Sequence, residues 1–170
     1  THPACAKAPD DSIRCFGSGA LEGSDSAAQV ISIASSHAQT CQVLRSGHVN
    51  CSRAPEGVPE DSLVPGLTSG WRVAVGTEHA CALLRDGTVR CWGSGKKGQL
   101  GDRVGRGHSS YPVAVTGLTG VIGITAGAEH TCVLRQDGSV WCWGDNSNGQ
   151  LGVLEAGPCP TPVKMEWEED

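Results

Sequence analysis

Apolar and β-branched residues come in short runs that alternate with polar ones and break at glycine turns; the fullest example is His130 to Gly144. There the chain reads His-Thr-Cys-Val-Leu-Arg-Gln-Asp-Gly-Ser-Val-Trp-Cys-Trp-Gly. Two such runs meeting at Asp137-Gly138 predict a β-hairpin. Cys132 and Cys142 lie ten apart, so a three-residue loop Gln136 to Gly138, with Gly138 left-handed, sets them directly opposite each other. Opposed positions of an antiparallel pair have Cβ atoms roughly 4.5 to 5.5 Å apart, close to what a disulfide requires.

The pattern recurs. Cys5 and Cys15, Cys41 and Cys51, and Cys81 and Cys91 show the same separation of ten, and the first cysteines follow one another at steps of 36, 40 and 51 residues. That period suits a four-stranded blade. The fourth copy runs from Tyr111-Pro-Val-Ala-Val through Val121 to Thr131 and the hairpin to Gly149-Gln-Leu-Gly152, and the third, with Leu63-Val-Pro-Gly-Leu, Trp71 to His79 and Gly98-Gln-Leu-Gly101, matches it closely. The second has diverged: Gln39 stands where His79 and His130 stand, Ser35 to Ser36 replaces the glycine, and Ser52 replaces Trp92 and Trp143. The first starts at its hairpin, with Asp10-Asp11 at the turn and Cys15-Phe16-Gly17 echoing Cys-Trp-Gly.

These repeats predict an all-β chain, a β-propeller of four repeats covering approximately 1–26 plus 160–168, 27–62, 63–110 and 111–159 as a single domain over 1–170. Pro162-Val-Lys-Met resembles Pro112-Val-Ala-Val, so the C-terminal strand is expected to pair with the N-terminal blade and close a ring of four blades, which also removes exposed sheet edges. The alternative is a piece of a larger ring, completed by further sequence or a second chain. In the third hairpin Cys81, Leu83, Val89 and Cys91 face one way and Ala82, Leu84, Thr88 and Arg90 the other. Both faces carry apolar side chains, as a sheet sandwiched between neighbours requires, with Trp92 and Trp143 as packing residues at the blade edge.

Composition agrees with many turns and short strands: 24 glycines and nine prolines in 170 residues. Eight of the nine cysteines fall into the four pairs, which singles out Cys5–Cys15, Cys41–Cys51, Cys81–Cys91 and Cys132–Cys142. No C-x-x-C spacing is present, so zinc is disfavoured. Four disulfides imply an oxidising compartment and a secreted, extracellular protein. A net charge of −5 argues against nucleic acid or an anionic membrane as partner. No apolar run approaches the roughly 18 residues of a membrane span, and nothing at the start looks like a signal peptide; beginning at Thr1 without Met, the chain reads as a processed form or an excised fragment.

The pattern Ala126-Gly-x-x-His130-Thr, Asp137-Gly-x-Val, Trp143-Gly-Asp-Asn-x-x-Gly-Gln-Leu-Gly152 resembles the repeat of the regulator of chromosome condensation family. The resemblance is fullest over residues 63 to 152, weaker over 27 to 52, and fragmentary at both ends. It implies a β-propeller, usually seven-bladed. The name-giving member catalyses nucleotide exchange on the GTPase Ran and binds nucleosomes, and secreted relatives include a bacterial β-lactamase inhibitor. This chain departs in having four repeats, a cysteine pair in each hairpin as in secreted variants, and an acidic balance. The fold alone transfers.

No catalytic constellation emerges, and no cofactor or metal site is expected. His79 and His130 follow Glu78 and Glu129 in equivalent slots; repetition points to a role in the fold, as a buried imidazole bonding backbone between blades. Asp145-Asn-Ser-Asn-Gly149 lacks the acidic residue that closes an EF-hand loop and reads as a turn, and the Gly-Gln-Leu-Gly segments have no phosphate-loop Lys-Ser/Thr. The ligand loop is expected in the longest insert, Ser94 to Ser110, which carries Lys96, Lys97, Arg103, Arg106 and His108, opposite in sign to the tail Glu166, Glu168, Glu169 and Asp170. Asn50-Cys51-Ser52 fits a glycosylation sequon at Asn50. Cys159, the odd cysteine between two prolines, is expected to form an intermolecular disulfide linking a homodimer, or to be a reactive or capped thiol. The leading function is a secreted binding module for an extracellular protein or glycan, lectin-like or inhibitor-like. The alternative is a structural or matrix component crosslinked through Cys159, with an enzyme the least favoured reading. Alkylation of the unfolded, unreduced chain is expected to modify one cysteine at most, read by intact mass; eight reactive thiols would overturn the pairing and the compartment together.

Overall fold

The computed structural model describes residues 4–7, 13–16, 30–53, 62–154 and 156–166, the first two segments by their backbone. Among the described residues there is no helix, so none long and apolar enough to cross a membrane. In chain order the strands are β1 (Ala4–Lys7), β2 (Ile13–Phe16), β3 (Val30–Ser35), β4 (Gln39–Leu44), β5 (Val49–Arg53), β6 (Ser62–Leu63), β7 (Gly70–Val75), β8 (His79–Leu84), β9 (Val89–Ser94), β10 (His108–Ala114), β11 (Val121–Ala126), β12 (His130–Arg135), β13 (Val140–Gly144) and β14 (Cys159–Lys164). They form the hairpin β1-β2 and three four-stranded sheets, β3-β4-β5-β6, β7-β8-β9-β10 and β11-β12-β13-β14, with antiparallel pairing throughout.

The three fully described hairpins share one turn. Leu84, Leu44 and Arg135 each donate their N–H to a carbonyl four residues on, and Gly87, Gly47 and Gly138 donate back across the loop. Those glycines have φ of 78°, 89° and 80°, the left-handed conformation expected of the third loop residue. The register then sets Cys41 against Cys51, Cys81 against Cys91 and Cys132 against Cys142, each pair bonded with Cα atoms 4.1 Å apart. Cys5 pairs in register with Cys15, but their side chains, and so the expected bond between them, lie outside the described residues.

Each Pro-Val strand belongs to the sheet before it. Val113 lies opposite Cys91, and Val163 likewise opposite Cys142. The expected pairing of the C-terminal strand with the N-terminal hairpin is therefore corrected: β14 is the outer strand of the sheet built on Cys132–Cys142. A strand that opens a sequence copy closes the preceding sheet, because the chain leaving β9 or β13 returns along the nearest unpaired edge. Proline fits such an edge, where a missing N–H leaves no gap in the ladder.

The middle sheet is buried on both sides, and its parity follows the sequence. Ala80, Ala82, Leu84 and Trp92 join one core cluster with Val43, Val49, Leu67 and Val73. Cys81, Leu83, Val89 and Cys91 join the other with Leu100, Val121, Val133 and Trp143. The first strand of each four-stranded sheet carries a bulge at the same place, at Ile31, Trp71 and Ile122. In the last two sheets this turns an apolar side chain outward: Trp71 is 43% and Ile122 46% exposed. Strict alternation along the sequence does not show a bulge.

Close approach explains the Ala-Gly-x-x-His pattern. A Cβ on Gly76 would overlap the ring of His79, and one on Gly127 the ring of His130. In the second sheet Gln39 replaces the ring, and Ser36 takes up the space and bonds the Gln39 backbone instead. Gly76→Ala is expected to lower unfolding free energy by about 1–3 kcal/mol through overpacking, measured by urea denaturation. Gly107→Ala, with nothing near it, should stay within about 0.5 kcal/mol of the parent.

Candidate functional site

Of the two repeated histidines, His79 serves the junctions between sheets. His79 is 1% exposed; its Nε2 shares a 2.8 Å hydrogen bond with the Thr131 hydroxyl of the next sheet, and its carbonyl accepts from Gln39 Nε2 of the preceding one at 3.0 Å. The contact expected to backbone is thus made by the ring to a hydroxyl, while the backbone of His79 receives Gln39. Burial, with the neighbouring His130 adding to it, lowers the His79 pKa from 6.5 to about 4. The ring is neutral at pH 7, and its Nδ1 has no partner among the described residues.

The Asp145 segment is a self-satisfied turn. Asp145 accepts from the Ser147 hydroxyl at 2.6 Å and Gln150 Nε2 at 3.0 Å, with Lys97 Nζ 3.6 Å away. The Ser147 bond first, and then Lys97, hold its carboxyl below the usual range. Asn146 donates to the Val153 carbonyl and accepts from Leu151 N–H. No group of three or more His, Cys, Asp or Glu fit for a metal is found among the described residues.

The basic insert is shorter and more dispersed than its sequence suggests. Ser94 and His108 are already paired strands, which leaves 95–107 as loop. Arg106 Nε donates to Asp102 at 2.8 Å, Lys97 faces Asp145, and Arg103 has φ 65° with its N–H on the Pro160 carbonyl. Lys96, Arg103 and His108 are exposed. Asn50 lies within β5 between Gln42 and Leu63, its Oδ1 buried with no partner among the described residues. Cys159 is half-buried opposite Gly144, its Sγ 3.9 Å from the Gly157 carbonyl. Of the acidic tail only Glu166 is among the described residues.

Two grooves remain. One, about 320 Å³, opens where the β3–β6 and β7–β10 sheets meet: Trp92 is flanked by Leu63, Val64 and Pro65 on one side and His108, Ser109 and Ser110 on the other, with Gln39 and Ser52 beside them. At the next junction the equivalent Trp143 is fully buried, its Nε1 donating to the Gln99 carbonyl of the Gly-Gln-Leu-Gly segment at 2.8 Å. The second copy has no Gly-Gln-Leu-Gly sequence, and here Trp92 lines a groove. Leu63 on its rim is 56% exposed. Sequence reading missed Leu63 to Pro65 as site residues; the signal was the absent segment. The other groove, about 390 Å³, lies by the hairpin turns between Trp71, Asp86, Ile122 and Gln136, where the Arg85 guanidinium covers the Trp71 ring at 5.2 Å.

Four-stranded antiparallel sheets stacked face to face, with loops presented at their junctions, define a β-propeller. The chain belongs to the regulator of chromosome condensation (RCC1) repeat family, whose two repeat profiles match residues 72–99 and 121–150, and 86–134 and 137–170. It is 44% identical over 98 residues to the human probable E3 ubiquitin-protein ligase HERC6, covering 55% of this chain and 9% of that protein. Among solved structures, human WBSCR16 superposes with a TM-score of 0.82 at 20% identity, over 98% of this chain and 51% of that one. Prp20p of Saccharomyces cerevisiae, described by its binding properties to Gsp1p and histones, superposes at 0.76 and 21% identity, over 99% and 49%. This chain thus spans about half of each of these solved propellers and less than a tenth of the ligase, whose likeness is confined to the repeats.

Acid should act through His79. Its folded pKa lies below the unfolded value, so the unfolded chain takes up the proton first and stability falls as pH drops from about 6.5 towards 4, by about 2–3 kcal/mol by pH 4.5. His79→Gln, which copies Gln39, is expected to remove that part of the acid sensitivity, measured by urea denaturation at pH 7 and pH 4.5.

Proposed function

We propose that this chain is a non-catalytic binding module that engages another protein at the Trp92 groove, in an oxidising extracellular compartment. The observation that carries this reading is the meeting, in one groove lined by Trp92, of the two features in which the copies differ: the diverged second copy and the 94–110 insert. Function in repeat folds concentrates in what varies on a common frame. Leu63, Val64, Pro65 and Trp92 offer an apolar floor, and exposed His108 and Arg103 lie on the insert. The matching ligand is an extended segment with one apolar anchor and acidic neighbours. A protein is favoured over a glycan because Trp92 is 8% exposed, too little for a sugar ring to stack on, and Arg85 covers Trp71. Prp20p, by its description, binds proteins, which supports the same class of partner here. Three cross-strand disulfides support the oxidising compartment.

Selection of a displayed peptide library on the immobilised chain should enrich apolar-anchored acidic sequences. Leu63→Asp should weaken them by about tenfold or more, and Trp71→Ala, in the other groove, should leave them unchanged. Failure to enrich any binder, or equal loss with both variants, would overturn the reading.

A further inference from the structure

Arg85 bridges one junction between sheets, and its counterpart leaves the next one open. Where the β3–β6 and β7–β10 sheets meet, the Arg85 guanidinium lies over the Trp71 ring at 5.2 Å, and its Nη2 donates to the Arg45 carbonyl in the turn of the preceding hairpin at 3.3 Å. One arginine thus reaches from its own sheet to the one before. Where the β7–β10 and β11–β14 sheets meet, Gln136 follows Cys132 by four residues as Arg85 follows Cys81, and Ile122 stands for Trp71. The Gln136 side-chain oxygen stays beside Gly120 of its own sheet. Here the groove of about 390 Å³ remains. Both of its walls are sheets of this chain that pack on each other, away from the face at which the described sheets end.

The open groove offers what Arg85 finds at the first junction, with a charge added. The counterpart of the Arg45 carbonyl is the Arg85 carbonyl, which takes no donor among the described residues. Next to it Asp86 replaces Ser46. Asp86 Oδ1 accepts from the Thr88 hydroxyl at 2.7 Å and the Thr88 N–H at 2.9 Å, and these bonds hold its carboxyl below the usual range. In the last sheet the equivalent Asp137 is paired with Arg135 at 3.2 Å. Leu84 stands where Arg135 does, so the Asp86 carboxylate is left without an ion-pair partner among the described residues. Ile122 supplies an apolar wall for a methylene stem. We propose that this groove receives an arginine side chain of a partner protein, its methylenes on Ile122 and its guanidinium between the Arg85 carbonyl and the Asp86 carboxylate. The planar fork of donors reaches a carbonyl and a carboxylate together, which a lysine ammonium does less well.

The test is an NMR titration of the isotope-labelled chain with the capped tripeptide acetyl-Gly-Arg-Gly-amide. The Gly87 and Gly120 amides, which line the groove, should shift saturably with a dissociation constant on the order of 1 mM. The lysine tripeptide should bind at least about fivefold more weakly. Asp86→Asn, which keeps an acceptor for Thr88, should weaken the arginine tripeptide by about threefold or more. Gln136→Arg, which copies Arg85, should fill the groove from within and abolish the shifts. Leu154→Glu, at a fully exposed position, should leave them unchanged. No saturable shift at Gly87 and Gly120, equal binding of the lysine tripeptide, or binding indifferent to Asp86→Asn and Gln136→Arg would each overturn the proposal.

Discussion

The fold depends on the contact between the faces of successive sheets. A four-stranded sheet with apolar side chains on both sides gains little by itself, since one layer cannot cover its own surface. Here the middle sheet divides its hairpin between two clusters, Ala82 and Leu84 towards one neighbour and Leu83 and Val89 towards the other. Recurring glycines leave room for rings: Gly76 and Gly127 lie under imidazoles of their own sheets, whereas Gly101 lies under the Trp143 indole of the next sheet and lets that junction close. The cross-strand disulfides hold the hairpin from within and leave both faces available for packing.

The polar groups at the junctions obey the same constraint. His79 is neutral because it is buried between sheets, and its hydrogen bonds run one to each neighbour, to Thr131 and from Gln39. Through its ring on one side and its backbone carbonyl on the other, His79 joins three sheets, a role that belongs to architecture. Divergence from the repeat is where the surface changes. Where the second copy lacks the segment that seals Trp143 at the next junction, Trp92 lines a groove bounded by the insert.

Much of this was legible in the chain. Hairpins, turn conformation and the three observed disulfides follow from Asp-Gly or Ser-Gly spacing and from cysteines ten apart, because all are made within about a dozen residues. The reading of Asp145 as a turn held for the same reason, and Trp143 is a packing residue as expected, although its partners Gln99 and Gly101 lie more than 40 residues away. The candidate site was half legible. His108 and Ser52 were marked as points of difference, but Leu63 to Pro65 were not, since only the stacking of sheets brings them beside Trp92. The basic insert read as a cluster, yet Lys97 and Arg106 spend their charge on Asp145 and Asp102, and no spacing along the chain shows the first of these pairs.

The sequence by itself determined the repeating unit: which residues form a tied hairpin, which face each hairpin side chain takes, and which glycine turns it. Tertiary structure decided which edge receives each Pro-Val strand and how the bulges turn Trp71 and Ile122 outward. The reason is physical. Alternation and turn chemistry are written in side chains over a few residues, whereas an edge strand is joined through backbone N–H and C=O groups that every residue carries. Its partner is therefore settled by proximity and by the packing of whole sheets, as β14 is by lying along β13.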